Sequence, residues 1–360
     1  VIAPARRVAF QVVRRVFEDD SYADRILDAA AAELDARDRA LAQRIAYGTV
    51  QRVRTLDYGI DTLGRRPTRK LDPAVLAALR IAAYELGWSE APAHAVADDA
   101  VELVRAAKLE RATGFTNAVC RRLAEGFRQL VAELPEGALK HSYPDWIHDV
   151  WVRDFGEEEA LALERAQNEP PPEEDRGMSR ASRLAVEVVQ SQPGERVLDA
   201  CAAPGNKTSL LEGDVTAVEI NPTRARLLAE RLPNVRVVTA DVRELDESGF
   251  DRALVDAPCS GLGVLNRRPD LRWRSKPIPA LQHELLQAAA ERTRHGGTIV
   301  YSVCTLNAGE NEAIVDASGL EPDDLGAEWP EFAHPTRPEF LLTTPHRHGT
   351  SGFFIARLRR

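Results

Sequence analysis

Two cysteines in this chain stand where a thiol could do covalent work. Cys304 lies in "YSVCTLNAGENE", directly after a short apolar run and before a polar segment that opens a helix. Cys259 lies in "LVDAPCSGLG", after another apolar run and at the start of a glycine-rich loop. A cysteine attacks as thiolate, so it needs a polar or positive setting, and a loop after a strand offers one. An isolated cysteine is more often a small buried apolar residue. That packing role is assigned to Cys120, in the helical "FTNAVCRRLAEG", and to Cys201, in "LDACAAPGNKT". With four cysteines and no C-x-x-C pair, the chain points to a reducing compartment and to no metal site.

The elements that must carry these residues are short apolar strands alternating with helices from Arg196 onward: "RVLDA", "VTAVEI", "VRVVTA", "RALVDA", "GTIVYSV" and "GFFIARL". Such alternation predicts a mostly parallel sheet with helices on both faces, whose ligands bind at the carboxyl ends of the strands. Asp199, Glu219, Asp241, Asp256 and Cys304 then share one sheet edge. Pro204 and Gly205 predict a tight turn after the first strand, with a helix starting at Thr208. Glu219 follows Asp199 by about twenty residues, the offset at which an acid accepts from ribose hydroxyls. Asp241, after the next strand, could accept from an exocyclic amino group such as that of adenine. One acid at a strand end is usually a cap or a solvated loop residue. Three in register beside a Pro-Gly turn favour an adenosine-containing ligand, and the absence of G-x-G-x-x-G speaks against a nicotinamide oxidoreductase.

Residues 1 to about 130 read as successive amphipathic helices, with Leu76, Leu79, Ala83 and Leu86 at helical spacing. Helices continue from Tyr143 through Asn168, and the proline and acid run "EPPPEED" marks a boundary. At 360 residues the chain has room for two or three domains. Its net charge of −9 hides a division, because residues 1 to 130 carry 21 Lys and Arg against 18 Asp and Glu. There is no membrane-length apolar run and no signal peptide, so a soluble, cytoplasmic, monomeric protein is expected. The chain opens at Val1, and its single methionine is Met178, so the full translated product is expected to be longer.

The motifs "LDACAAPGNKT", "DAPCSGLGVLNRRPDLRW" and "YSVCTLNAGENE" resemble those of Sun-type (Fmu-type) RNA cytosine-C5 methyltransferases, which use S-adenosylmethionine. "FTNAVCRR" and its preceding helices resemble the NusB-like RNA-binding domain of one branch, and "HSYPDW" resembles the start of the joining segment. The resemblance implies an N-terminal all-α NusB-like helical bundle (1–130), a helical linker with a shortened intermediate segment (131–185), and a C-terminal α/β Rossmann-like class I methyltransferase domain (186–360). It also implies a cytosine of 16S ribosomal RNA as target. Cys304 would add to C6, Cys259 would help free the enzyme, and Asp256 would hydrogen-bond the base near N3. Cys201, Ala202, Ala203, Pro204, Gly205, Asn206, Lys207, Glu219, Asp241 and Asp256 would line the cofactor pocket. Two departures stand out: Asn206 replaces a usual glycine, and almost nothing fills residues 170–182, where the family carries a small α/β segment.

The cluster "NRRPDLRWRSK" concentrates Arg267, Arg268, Arg272 and Arg274 around Trp273, a composition suited to gripping phosphates and stacking a base. "GRRPTRK", Gly64 to Lys70, is as readily a solvated loop as an RNA contact. The reaction needs an unstacked cytosine, so naked RNA or an assembly intermediate is the expected partner. The other readings are a noncatalytic, antitermination-like RNA-binding module built on residues 1–130, and a methyltransferase acting on another RNA such as tRNA.

Overall fold

The computed structural model describes residues 2–172 and 178–360. It divides into two compact units, Val1–Glu169 with Leu265–Arg274, and Pro170–Val264 with Ser275–Arg360. Residues 173–177, within the expected boundary and the shortened segment, lie outside the described residues.

The first unit is all helical. Its central helix, Pro73–Trp88, starts on an Asp72 cap with proline in the first turn, and is alanine-rich and apolar on nearly every side. A helix with that pattern must be surrounded, and Ala74, Val75, Ala78, Leu79, Ala82 and Ala83 are all buried. Its one buried acid, Glu85, is answered by Arg6, whose Nη2 donates at 2.7 Å. The helices Asp145–Phe155 and Glu157–Ala166, read from the sequence as part of a joining segment, group with this unit.

The segment Leu265–Arg274 is built into the same helical unit, and this corrects the expectation of an RNA-gripping loop. Arg267, Arg268, Trp273 and Arg274 are half-buried. Arg272 is completely buried. Its guanidinium donates to Asn168 Oδ1 at 2.8 Å, Gln167 O at 2.8 Å and Gln51 O at 3.2 Å, and lies 3.9 Å from the Tyr143 ring centroid. Burial pushes its pKa down to about 10. Trp273 Nε1 donates to Val50 O at 2.7 Å. Arg274 pairs with Asp20 at 3.2 Å and Arg268 with Asp24 at 3.5 Å, both guanidinium groups lying over the Tyr22 ring. Arg268, Arg272 and Arg274, which look like a phosphate grip in one dimension, meet carbonyls and acids of the helical unit instead.

The second unit is built on one eight-stranded sheet. Its strands are β1 (Arg196–Asp199), β2 (Asp214–Val218), β3 (Arg236–Val238), β4 (Phe250–Asp256), β5 (Thr293–Val303), β6 (Glu321–Pro322), β7 (Leu341–Thr343) and β8 (Phe353–Arg359). They run in the order β3-β2-β1-β4-β5-β8-β6, with β7 also on β8. β1 to β5 are parallel and β8 is antiparallel to β5. On one face, Ala181, Leu184, Ala185 and Val188 of helix Arg180–Val189 pack with Leu254, Val300 and Ile355. Leu228 of helix Pro222–Arg231 packs with Ala202 and Ala217. The helix expected from Thr208 is a single 3-10 turn, Thr208–Leu210. Only residues 211–213 remain before β2, and Gly213, at φ +98°, turns the chain straight into it.

Replacing Arg272 with Met should lower the stability of the helical unit by roughly 2–4 kcal/mol, because four buried acceptors, Ser142 O among them, lose a charged donor. Thermal or denaturant unfolding followed by the Trp273 indole would measure it; an unchanged midpoint would contradict the role described.

Candidate active site

Parallel pairing of β4 with β5 sets Asp256 directly opposite Ser302. Cys259 comes three residues after Asp256 and Cys304 two after Ser302, so both thiols stand at the same end of neighbouring strands. Their Sγ atoms are 3.5 Å apart. Both side chains are partly exposed, unlike Cys120, which is buried in helix Thr113–Ala132 and has its pKa pushed up to about 12 by burial. The Cys259 loop is pressed against the turn after β5. Gly263 N donates to Cys304 O at 3.0 Å, and Gly352 N donates to Gly263 O at 2.8 Å. A Cβ on Gly263 would meet Gly352 O at 1.9 Å, so no larger residue fits between these backbones.

Charge around the thiols is arranged asymmetrically. Lys207 Nζ donates to Asp256 Oδ2 at 2.7 Å, Ser302 Oγ donates to Asp256 Oδ1 at 2.9 Å, and the ammonium lies 5.1 Å from the Phe353 ring centroid. Burial works against the Lys207 charge, but Asp256 more than offsets it and raises the pKa. The proton of this pair therefore rests on Lys207. The Cys304 thiol is held below its ordinary pKa chiefly by its contact with Cys259, against burial and the Asp256 carboxylate, with a smaller lowering from Lys207. Cys259 moves the opposite way, raised by the Cys304 contact and by burial. Of the two sulfurs, Cys304 is the one set up to be the thiolate.

Beside them a pocket is lined by Asp199, Cys201, Ala202, Ala203, Pro204, Asn206, Lys207 and Asp256. Gly205 makes the turn at φ +94°, where a Cβ would meet Leu228 at 2.4 Å. Asn206 is not among the positive-φ residues, so the glycine missing at that position is not required by the backbone. Asp199 Oδ2 accepts from Thr208 Oγ1 at 2.8 Å. Its Oδ1 is buried without a hydrogen-bond partner among the described residues. Burial lifts the Asp199 carboxyl to about 6. Cys201 is pushed upward by burial and by the surrounding acids, which suits a wall and not a nucleophile.

Glu219 and Asp241 follow β2 and β3 along the same edge but do not line this pocket. Glu219 Oε1 accepts from Asn221 N at 2.7 Å and pairs with Arg224 at 2.8 Å. Asp241 accepts from Arg243 Nη2 at 2.6 Å and from Arg243 N at 2.9 Å. The residue that sequence reading passed over is Glu310, completely buried beside both cysteine loops. It lies within the quoted Cys304 motif, but an acid followed by Asn-Glu in a polar run carries no mark of burial.

Residues 186–359 match the family model for the 16S rRNA methyltransferase RsmB/F, and residues 3–125 match the NusB family. "Putative methyltransferase MT1451" of Mycobacterium tuberculosis is 34% identical, with 99% of this chain and 96% of that protein covered. "Ribosomal RNA small subunit methyltransferase B" of Thermus thermophilus is 33% identical over 90% of this chain and 89% of that protein. This chain belongs to the RsmB/F methyltransferase family. The crystal structure of PH0851, 20% identical, covers 100% of the chain with a TM-score of 0.79 and shares the fold. The alignment with the M. tuberculosis protein runs over 442 positions, more than the 360 residues here, so that relative carries residues without counterparts in this chain.

RsmB/F methyltransferases take their methyl group from S-adenosylmethionine, and the pocket suits that cation. Asp256 is matched by Lys207, so the negative charge left over is that of Asp199, whose bare Oδ1 calls for a donor. Below about pH 6 Asp199 holds a proton, and above it the carboxylate is free to pair with a cationic ligand. Affinity for S-adenosylmethionine should therefore weaken about tenfold between pH 7 and pH 5. Asp199→Asn should remove most of that dependence. Titration calorimetry across this range is the check; equal pH slopes for both proteins would rule the assignment out.

Proposed function

We propose that the protein methylates C5 of a cytosine in 16S ribosomal RNA, in the cytoplasm, through a covalent bond between Cys304 and C6. The observation that carries this reading is the 3.5 Å contact of two unequal thiols beside the Lys207–Asp256 pair. Cys304, as thiolate, adds to C6, and the electron pair displaced from the C5–C6 bond moves toward N3 and C5. The Lys207–Asp256 pair, with its proton on Lys207, steadies the negative charge that this addition sends into the pyrimidine ring. S-adenosylmethionine, when bound, supplies the electrophilic methyl group. Residues 201–207 and Asp256 wall its pocket, and Glu219 and Asp241 extend the same edge, each sharing its carboxylate with a neighbouring arginine. Cys259 keeps its proton and so can donate to the Cys304 sulfur. Once the C5 proton has passed to water, elimination re-forms the C5–C6 double bond and expels Cys304 as thiolate, which accepts a hydrogen bond from the Cys259 S–H.

Incubation with labelled S-adenosylmethionine and small-subunit ribosomal RNA, followed by mapping of 5-methylcytosine, tests base and atom together. Cys304→Ser should abolish transfer, and Cys259→Ala should accumulate a protein–RNA adduct that survives denaturation. Full transfer by Cys304→Ser would end the proposal.

With Arg268, Arg272 and Arg274 engaged internally, the support for an RNA contact lies in the loop from Arg65 to Lys70. Arg65, Arg66, Arg69 and Lys70 are exposed, and none forms an ion pair among the described residues. Asp61 Oδ1 accepts from Thr68 N at 2.6 Å, and Arg122 donates to Leu63 O at 2.7 Å, so the loop is held in one shape. Each phosphate contact contributes about 0.7 to the slope of log affinity against log salt for single-stranded nucleic acid. Replacing all four cations with Ser should flatten that slope by up to about 3 and weaken binding at low salt, read by filter binding. An unchanged slope would remove the loop from the interface.

A further inference from the structure

We infer that Glu310 is a positioning residue for the reaction, the shared anchor that holds the Cys259 loop and the Cys304 turn at contact distance. The inference rests on the two-cysteine reading above. Oε1 accepts from Ser260 N at 3.0 Å, Gln282 Nε2 at 3.0 Å and Ile278 N at 3.3 Å. Oε2 accepts from Ser260 Oγ and from Asn307 Nδ2 at 3.3 Å. Ser260 is the residue after Cys259, and Asn307 is three after Cys304, so one carboxylate ties both thiol-bearing segments.

A directed chain runs through the same point. Leu262 N reaches Thr305 Oγ1 at 3.4 Å, Thr305 Oγ1 lies 2.7 Å from Ser260 Oγ, and Ser260 Oγ donates to Glu310. Gln282 Nε2 also reaches Pro258 O at 2.9 Å, clamping the other side of Cys259. Tyr301 OH donates to Glu310 O at 2.7 Å and fixes the backbone that carries the carboxylate.

No cation pairs with Glu310 among the described residues. A fully buried carboxylate satisfied only by neutral donors is costly to keep. What these donors have in common is the geometry they impose on two loops that also meet through the backbone hydrogen bond from Gly263 N to Cys304 O. The charge also has a direction. Glu310 faces Cys259 and opposes a second thiolate there, while Lys207 and Asp256 face Cys304. The contact between the two sulfurs sets them apart, and Glu310 adds to the rise at Cys259.

The test uses the full chain and a readout independent of methyl transfer. Diamide oxidises two thiols to a disulfide and is itself reduced to the hydrazine, so its rate of forming the Cys259–Cys304 bond reports how often the sulfurs meet. Peptide mass spectrometry identifies the product. In Glu310→Gln, whose amide N–H groups face donors, disulfide formation should slow at least tenfold. Methyl transfer should lose kcat with little change in KM for S-adenosylmethionine, and the pH profile for alkylation of Cys304 should shift. A folded Glu310→Gln protein that forms the disulfide at the parent rate overturns the inference. Should that variant fail to fold, Ser260→Ala, which leaves the carboxylate and removes one donor, decides the matter: a several-fold slower disulfide supports it, and the parent rate overturns it. Slower disulfide formation in Glu310→Gln together with full activity in Cys304→Ser would leave the anchor standing and remove the two-cysteine mechanism.

Discussion

The register between β4 and β5 is the constraint on which the candidate chemistry depends. Parallel strands cannot be joined by a tight turn, so Asp256 and Ser302, neighbours across the ladder, are separated by the whole helix Pro279–Arg292 in the chain. Slipping that register by one residue would turn each side chain to the opposite face. Asp256 would then lose Ser302 and Lys207, and the two sulfurs would no longer face each other. The buried apolar residues of these strands, Leu254, Val255, Ile299, Val300 and Tyr301, make such a slip costly. The chemistry at the strand ends is thus guarded by hydrophobic burial well inside the sheet.

Each unit also handles buried charge by giving it partners from distant parts of the sequence. In the second unit, Lys207 from the loop after β1 meets Asp256 at the end of β4, and that partner raises the Lys207 pKa against burial. In the first, Arg272 reaches acceptors at Gln51, Gln167 and Asn168 and stacks on Tyr143, joining four stretches of chain through one guanidinium. The planar fork of arginine, with several donors at fixed angles, is the side chain suited to that task. The difference lies in access. Cys259 and Cys304, beside the Lys207–Asp256 pair, remain partly open to a ligand, whereas Arg272 is sealed.

Much of this architecture was legible in one dimension. Helical spacing at the front, and short apolar runs alternating with helices at the back, separated the two parts, because each pattern reports how an element meets the core. The places of Asp199, Glu219, Asp241, Asp256 and Cys304 at one sheet edge followed from the ends of apolar runs. Composition misled at "NRRPDLRW". A cluster of arginines around a tryptophan reads the same whether its charges meet phosphates or buried carbonyls, and only the acceptors at Gln51, Val50 and Gln167 decide which. The helix expected after Thr208 failed for a different reason, since the segment is simply too short before β2 begins.

What the sequence by itself determined was the set of elements and the identity of the reactive groups, since strand ends, turns and thiols are local properties of the chain. What only the tertiary structure decided was which charges are spent and which are free. Arg272 is silent and Arg65 is open; Asp199 keeps a bare oxygen and Asp241 does not; Glu310, one acid among many in the chain, becomes the meeting point of two loops. These outcomes depend on partners tens or hundreds of residues away. Hydrogen bonding and desolvation act over a few ångströms of space, and sequence separation places no limit on which residues come that close.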